Sequence, residues 1–425
     1  MNRQQSLFEP ETAHNPLLDV NLSHESGSAL RPETPADVQK ILQENARHPG
    51  QKMAPVGGGT SLCLPGDVIP LSTSRLTRVV DYPHRDLTIT VEAGLTLAEL
   101  RRILAEHGQR LPLDAPHADQ ATLGGLLATN TSGPGRFGYG TFRDYVIGIS
   151  AVDGLGRSFS AGGRVVKNVA GYDLCKLLIG SQGSLAVITQ LTLKLRPLAR
   201  SRQFVCASFN AIADLAAALD ALNTSQTRPA VLESIRTYSD DWRNELRAGA
   251  ITPGAATESN ATFVLCIAFE GTDTETDWQV QTVLQELAPH QPASLEQFEG
   301  ADAASLWDDL TTAMSRRAGL SVHVAFPPSQ TAAFLERVPH EAPVQWHAGD
   351  GVATCLISAD DALEQVRTLR GSLIEMGARL WVPDAPLDWA LSDRLALEPG
   401  VLEIHRRIKS VLDPGHHLYA NWLGE

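Results

Sequence analysis

Three consecutive glycines, Gly57, Gly58 and Gly59, follow a short apolar run ending in Pro55 and Val56, and two hydroxyl residues, Thr60 and Ser61, come next. Without Cβ atoms such a turn adopts positive φ freely and brings several backbone N–H groups against one anion. A pyrophosphate requires that kind of cradle. Two common phosphate loops fail here. A P-loop needs Gly-Lys-Ser or Gly-Lys-Thr opening a helix, whereas Lys52 precedes the glycines. The dinucleotide fingerprint runs from a strand into a helix, whereas Leu62-Cys63-Leu64-Pro65-Gly66 follows here, and Pro-Gly signals more loop. For this segment alone, a plain glycine turn between strands remains the alternative.

Three more glycine-bearing segments lie in the same region: 116–133, 153–163 and 166–183. In that order the four segments resemble the FAD-binding domain of the vanillyl-alcohol oxidase/PCMH superfamily over residues 30–200. Lys167-Asn-Val-Ala-Gly-Tyr-Asp-Leu174 is most similar to the FAD-binding subunit of glycolate oxidase, the GlcE type, and Arg143-Asp144 with the Val146-Ile-Gly-Ile strand fits the same subunit.

The resemblance implies an α+β protein. Its PCMH-type FAD-binding domain comprises two α/β subdomains. An α+β cap domain with an antiparallel sheet follows, and a C-terminal helix returns to the FAD domain. The expected boundaries are a flexible arm over 1–29, the FAD domain over 30–200, the cap over 201–385 and the closing helical segment over 386–425. FAD is expected to be noncovalent, because no histidine adjoins the glycine turn. Pro55, Val56, Gly57, Gly58, Gly59, Thr60 and Ser61 are expected at the pyrophosphate, and Pro116, Thr122, Gly124 and Gly125 toward the flavin. Asn130, Ser132 and Gly133 would offer donors to phosphate or ribose, and Gly183 and Ile188 backbone contacts to the adenosine or ring edge. Lys167 is either a charge near the flavin or a solvated lysine beside a turn. Tyr172 and Asp173 are expected to fix that turn and cap the next helix. His117 is either a flavin or substrate contact or a loop histidine.

Oxidation of a 2-hydroxy acid needs a base for the hydroxyl proton, a carboxylate clamp and a hydride acceptor. Related catalytic subunits carry His-x-Gly-Asp-Gly-Asn-x-x-His in the second domain. Trp346-His347-Ala-Gly-Asp350-Gly-Val352 matches its first half, but Val352 replaces Asn and Cys355 the second histidine, so no metal is expected. Ser321-Val-His323 stands where the glycolate oxidase FAD subunits tend to carry Leu-Trp-Arg. The catalytic candidates are therefore His323, His347, Arg316 and Arg317. Two readings stay open. In one, this chain oxidises glycolate or a similar 2-hydroxy acid alongside a second flavin subunit and an iron–sulfur subunit. In the other, it is a flavin-binding structural or relay subunit and the substrate chemistry lies on a partner. A sugar or lactone oxidase is a distant third.

These residues need elements to position them. Thr34 and Thr96 open capping sequences ahead of helices, with Val38, Ile41 and Leu42 on one buried face and Leu97, Leu100 and Leu104 on the other. The second helix is expected to stop at Gly108. Strands are predicted over 76–81, 87–91 and 145–152. Residues 116–143 read as a loop-rich segment, and 174–179 as a short helix. Alternation at Val187, Thr189, Leu191, Leu193 and Leu195 predicts an edge or half-buried strand ending at Pro197. Beyond it, helices are predicted over 210–222, 274–287, 303–314 and 361–376, and strands over 262–270, 321–326 and 352–358. The sheet they form is expected to be covered on one face. Residues 401–412 read as a helix packing back on the first domain.

The net charge of −14 argues against nucleic acid as a partner. No apolar run approaches the length of a bilayer span, and the first ten residues lack the basic-then-apolar profile of a signal peptide. Five widely spaced cysteines without C-x-x-C suggest buried thiols in a reducing cytoplasm. They resemble no iron–sulfur ligand set. The chain is expected in the cytoplasm, reaching the inner membrane only through partners.

Overall fold

A computed structural model of the chain describes residues 29–48, 50–61, 64–163, 173–239, 241–248, 261–316, 319–358, 361–386, 388–395 and 399–420. The expectations for Cys63, Lys167, Tyr172 and Arg317, and for the arm before residue 29, fall outside these residues.

The helix Pro35–Asn45 begins as its capping sequence requires. Asp37 N donates to Thr34 Oγ1 at 3.2 Å, and Thr34 N donates to Asp37 Oδ2 at 3.0 Å, so two orphan donors are satisfied reciprocally. Val38 and Leu42 on its inner face pack against Met53 and Leu71 of a small parallel pair, Met53–Val56 with Ile69–Ser72.

The helix Leu97–Ala105 buries Leu97, Leu100 and Leu104 completely, which contributes about 1.5–3 kcal/mol per side chain. It covers a five-stranded antiparallel sheet, ordered Val79–Asp81, Thr88–Glu92, Ala186–Lys194, Val146–Asp153 and Ser158–Gly162. Three expectations change here. The strand from Ala186 is central rather than an edge, paired on both sides and buried at Val187, Ile188 and Leu191. The strand expected over 76–81 is only Val79–Asp81, because Leu76 N is drawn into a turn onto Thr73 O. Residues 116–143 contain the helices Leu123–Thr129 and Arg136–Tyr139 and the first half of Phe142–Tyr145. Their glycines hid them, although Thr122 caps the first and its Leu123, Leu126 and Leu127 are buried.

Residues beyond 200 form an eight-stranded antiparallel sheet. Its order is Ser294–Glu299, Ser201–Phe209, Thr262–Gly271, Val231–Thr237, Val344–His347, Val352–Ile357, Leu320–Ala325 and Arg379–Trp381. Successive side chains point to opposite faces, so Phe204 and Cys206 enter one core while Val205 and Ala207 enter the other. Helices Ile212–Leu222, Asp273–Leu287 and Ala362–Ile374 lie on one face, and Trp242–Ala248 and Gly300–Thr312 on the other. The sheet is therefore covered on both faces, not one. Cys175, Cys206, Cys266 and Cys355 are buried free thiols.

The closing helix Pro399–Leu412 returns to the first body, with Ile408 and Leu412 against the core of the five-stranded sheet. Lys409 is fully buried; its Nζ donates to Asp413 Oδ2 at 2.8 Å, Leu418 O at 2.8 Å and Ser184 O at 3.1 Å. Asp413 in turn accepts from His417 N and Leu418 N. All three ammonium protons are thus used.

Candidate functional site

The glycine segments and the second sheet enclose one cavity of about 660 Å³. Every residue that the resemblance assigned to FAD, from Pro55 through Ile188, lines it, as do His117, His323 and His347.

One wall is the glycine turn. It leaves the strand Met53–Val56 and is held from behind by Thr73 N donating to Val56 O at 2.9 Å. A Cβ on Gly58 would lie 1.8 Å from Gln120 O, and one on Gly57 would lie 2.0 Å from Thr122 Oγ1. These glycines are required first by packing between two segments of the protein. That packing leaves the turn's donors unspent. Among the described residues, the backbone N–H groups of Gly57, Gly58, Thr60 and Ser61 have no hydrogen-bond partner. Unpaired donors converging on a cavity wall are what an anion requires.

The adjoining segment lines the cavity too, but its own amides are spent within the protein. The N–H groups of Leu123 and Gly124 already donate to Leu95 O and Ala93 O, and Gly125 N donates to Thr122 Oγ1. A Cβ on Gly124 would strike Ala93 Cβ at 2.8 Å, so this glycine seats the helix against its neighbour. Gly183 closes the wall at φ +73°, where a Cβ would come within 3.1 Å of Pro55 Cγ. Asp173 caps the helix Leu174–Leu178 through Lys176 N, as expected.

The opposite wall is one face of the eight-stranded sheet, and its register explains the grouping. Glu233, His347 and Val352 are successive cross-strand partners, and so are Gln345, Thr354, His323 and Trp381. All seven line the cavity. Glu233 is fully buried; its Oε2 lies 2.7 Å from His347 Nδ1, and Gln345 Nε2 donates to its Oε1 at 3.0 Å. A carboxylate at that distance holds the proton on Nδ1 and leaves Nε2 as the basic nitrogen. His323 stacks on Trp381 with ring centroids 5.1 Å apart and lies 3.2 Å from Ser321 Oγ through Nε2. Burial, with His347 adding to it, pushes the His323 imidazole down to about 4.

Arg316 does not reach the cavity. Its Nη1 donates to Arg247 O at 3.3 Å and lies 3.7 Å from Asp309. The lining guanidinium among the described residues is Arg136, from the first body, which donates to Asp350 Oδ2 at 3.1 Å and to Ser132 Oγ at 3.0 Å. Glu233, Gln345, Trp381 and Arg136 were not singled out from the sequence. Glu233 carried a usable signal, a lone charge inside the apolar run Ala230-Val-Leu-Glu-Ser-Ile235. Cys355, standing where a second histidine would be, is fully buried in the core and does not face the cavity.

Residues 28–162 match the FAD binding domain family, and residues 198–376 match the C-terminal domain of FAD linked oxidases. The D-lactate dehydrogenase of Archaeoglobus fulgidus is 35% identical over 222 residues, covering 49% of this chain and 48% of that protein. Glycolate oxidase subunit GlcE of Escherichia coli is 40% identical over 124 residues, covering 29% of this chain and 35% of that protein. These alignments span half or less of either relative. The D-2-hydroxyglutarate dehydrogenase of Xanthomonas citri pv. viticola is 28% identical over 416 residues, covering 87% of this chain and 83% of that protein. A solved alkyldihydroxyacetonephosphate synthase superposes with a TM-score of 0.66 at 17% identity, over 92% of this chain and 79% of that one, which is a likeness of fold.

Proposed function

This chain belongs to the PCMH-type FAD-linked oxidases, and we propose that it oxidises a small 2-hydroxy acid to the corresponding 2-oxo acid. The observation that carries this reading is the Glu233–His347 pair on the cavity wall opposite the glycine turn.

FAD is the cofactor of the family, and this chain's residues fit it. The unpaired N–H groups of Gly57, Gly58, Thr60 and Ser61 would meet the pyrophosphate. Thr122, Asn130, Ser132 and Gly133 line the cavity beside that turn, and Gly183 and Ile188 close it. When bound, FAD supplies the two-electron acceptor for the hydride leaving the substrate Cα.

The protein's own part is proton management. His347 Nε2 accepts the hydroxyl proton as the C–O bond becomes C=O, and Glu233 stabilises the imidazolium through Nδ1–H. Gln345 keeps the carboxylate aimed by holding its second oxygen, while its own amide is tied to Leu310 O at 2.8 Å. His323, kept neutral, and Trp381 give the pocket an aromatic wall.

We further propose a place in a multisubunit glycolate oxidase, beside a second flavin subunit and passing electrons to an iron–sulfur subunit; the GlcE and GlcD relatives, both named as glycolate oxidase subunits, support the first part of that reading. No helix of the described residues is long and apolar enough to cross a membrane, which accords with a cytoplasmic chain held at the inner membrane through partners. One observation favours the relay reading instead. With Cys355 turned into the core, His347 has no second histidine beside it on the neighbouring strand.

The test is to load the full chain with FAD and add glycolate or D-lactate without oxygen. Bleaching of the flavin by the chain alone supports catalysis here. Bleaching only when partner subunits are present transfers the chemistry to a partner.

A further inference from the structure

Arg136 and Asp384 are the ionisable side chains on the cavity wall that the proton chemistry above leaves unused, apart from His117 at the far side of the glycine turn. Arg136 sits on the short helix Arg136–Tyr139 of the first body and reaches across to the second. The turn after His347 is docked on this helix: a Cβ on Gly349 would lie 2.0 Å from Phe137 Cε2, and Asp350, bonded to Arg136, donates its N–H to His347 O at 3.0 Å. The guanidinium is thereby fixed within one turn of the proposed base.

It is fixed without being used up. Nε serves Asp350 and one Nη1 proton serves Ser132, while Nη2 has no hydrogen-bond partner among the described residues. A guanidinium has five donors in a planar fork suited to a carboxylate. The cofactor's own anion does not call for it, because the unpaired amides of Gly57, Gly58, Thr60 and Ser61 stand ready for the pyrophosphate. No other arginine or lysine lines the cavity among the described residues. Asp384 follows Trp381 and Pro383 in the cavity lining; burial pushes its carboxyl up, and no cation pairs with it among the described residues.

We propose that Arg136 binds the substrate carboxylate beside His347 and that Asp384 turns away a second carboxylate, so that the site selects monocarboxylic 2-hydroxy acids. This rests on the 2-hydroxy acid reading and narrows it. A monoanion finds the edge of the guanidinium that Asp350 and Ser132 leave open. A dianion finds the same edge and a carboxylate on the same wall, which costs binding.

The experiment is equilibrium binding of the oxo-acid products to the FAD-loaded full chain, read from the flavin absorbance. Pyruvate, the neutral pyruvamide and the dianionic 2-oxoglutarate are the probes. The wild type is expected to bind pyruvate more tightly than 2-oxoglutarate. Arg136→Met, checked first for flavin content, is expected to raise the Kd of pyruvate about 10- to 100-fold, the scale of a lost charge-assisted hydrogen bond, and to leave pyruvamide unchanged. Arg136→Lys should fall between them. Asp384→Asn should tighten 2-oxoglutarate several-fold and leave pyruvate as it was. Equal losses for pyruvate and pyruvamide in Arg136→Met would make Arg136 a domain latch and overturn the proposal. So would 2-oxoglutarate binding as tightly as pyruvate to the wild type, or an unchanged 2-oxoglutarate Kd in Asp384→Asn. If neither pyruvate nor pyruvamide perturbs the wild-type flavin, the 2-hydroxy acid reading falls as well.

Discussion

Glu270 receives Arg110 across a sequence separation of 160, with Nη1 on Oε1 at 2.9 Å and Nη2 on Oε2 at 2.5 Å. Arg202 and Tyr139 complete the carboxylate's shell, and Arg110 stacks 4.7 Å over the Tyr139 ring. Burial pushes the Glu270 carboxyl up, but the two guanidiniums and the phenol outweigh it and hold it below its usual range. This clasp ties the first body to the second sheet, whose faces together make the cavity. Glu270→Ala leaves Arg110 buried without its partner, a change of roughly 3–5 kcal/mol. Thermal unfolding should show a marked fall in midpoint, with weaker FAD retention; an unchanged midpoint would mean that the clasp holds nothing.

The Lys409–Asp413 pair makes a parallel prediction for the closing helix. Lys409 also holds Ser184 O, one residue from the cavity-lining Gly183. Lys409→Met strands a buried carboxylate and frees that loop. FAD titrated into the variant and followed by fluorescence quenching should bind at least several-fold more weakly than to the wild type. Equal affinities would disconnect the helix from the cofactor wall.

Gly58→Ala tests the packing of the glycine turn. Its new Cβ would need space that Gln120 O occupies at 1.8 Å, so turn and neighbour must separate and the donor cradle opens. Purified Gly58→Ala should be colourless or nearly so. Gly66→Ala is the control, since nothing lies within 4 Å of its Cβ position, and it should keep its flavin.

His323 sets a pH dependence. Its imidazole titrates near 4 when folded, against about 6.5 when unfolded. Between those values the unfolded chain binds more protons, so stability is complete above about pH 6.5 and is lost as pH falls toward 4. The loss amounts to roughly 3 kcal/mol. Unfolding midpoints measured from pH 7 to 4.5 should decline less steeply for His323→Gln than for the wild type. Identical slopes would show that this histidine is not buried neutral.

What the sequence made legible was local. Thr34 with Asp37, and Thr96 with Leu97, Leu100 and Leu104, mark their helices because caps and 3.6-residue spacing act within a few positions. The glycine segments announced the cofactor wall only together, through the family resemblance that their type and order carried. The opposite wall is a product of register. Glu233 meets His347 across 114 positions and Arg136 meets Asp350 across 214, distances over which no spacing rule operates. The strand from Ala186 misled for a related reason: its alternation described one buried face, while pairing on both sides was decided by strands far away in sequence. Gly57 and Gly124 are a subtler case. Both line the cavity, and their neighbours Thr122 and Ala93 show that packing requires them first.

The most direct measurement is the anaerobic rate of flavin reduction by a 2-hydroxy acid in the wild type and in His347→Gln, each loaded with FAD to the same content. Loss of a positioned base lowers a proton-coupled step by about 10²- to 10⁴-fold. The wild type is predicted to bleach, and His347→Gln to bleach slower by that order, with Glu233→Gln between them. Equal rates in wild type and His347→Gln would contradict the assignment of the Glu233–His347 pair as the base of the reaction.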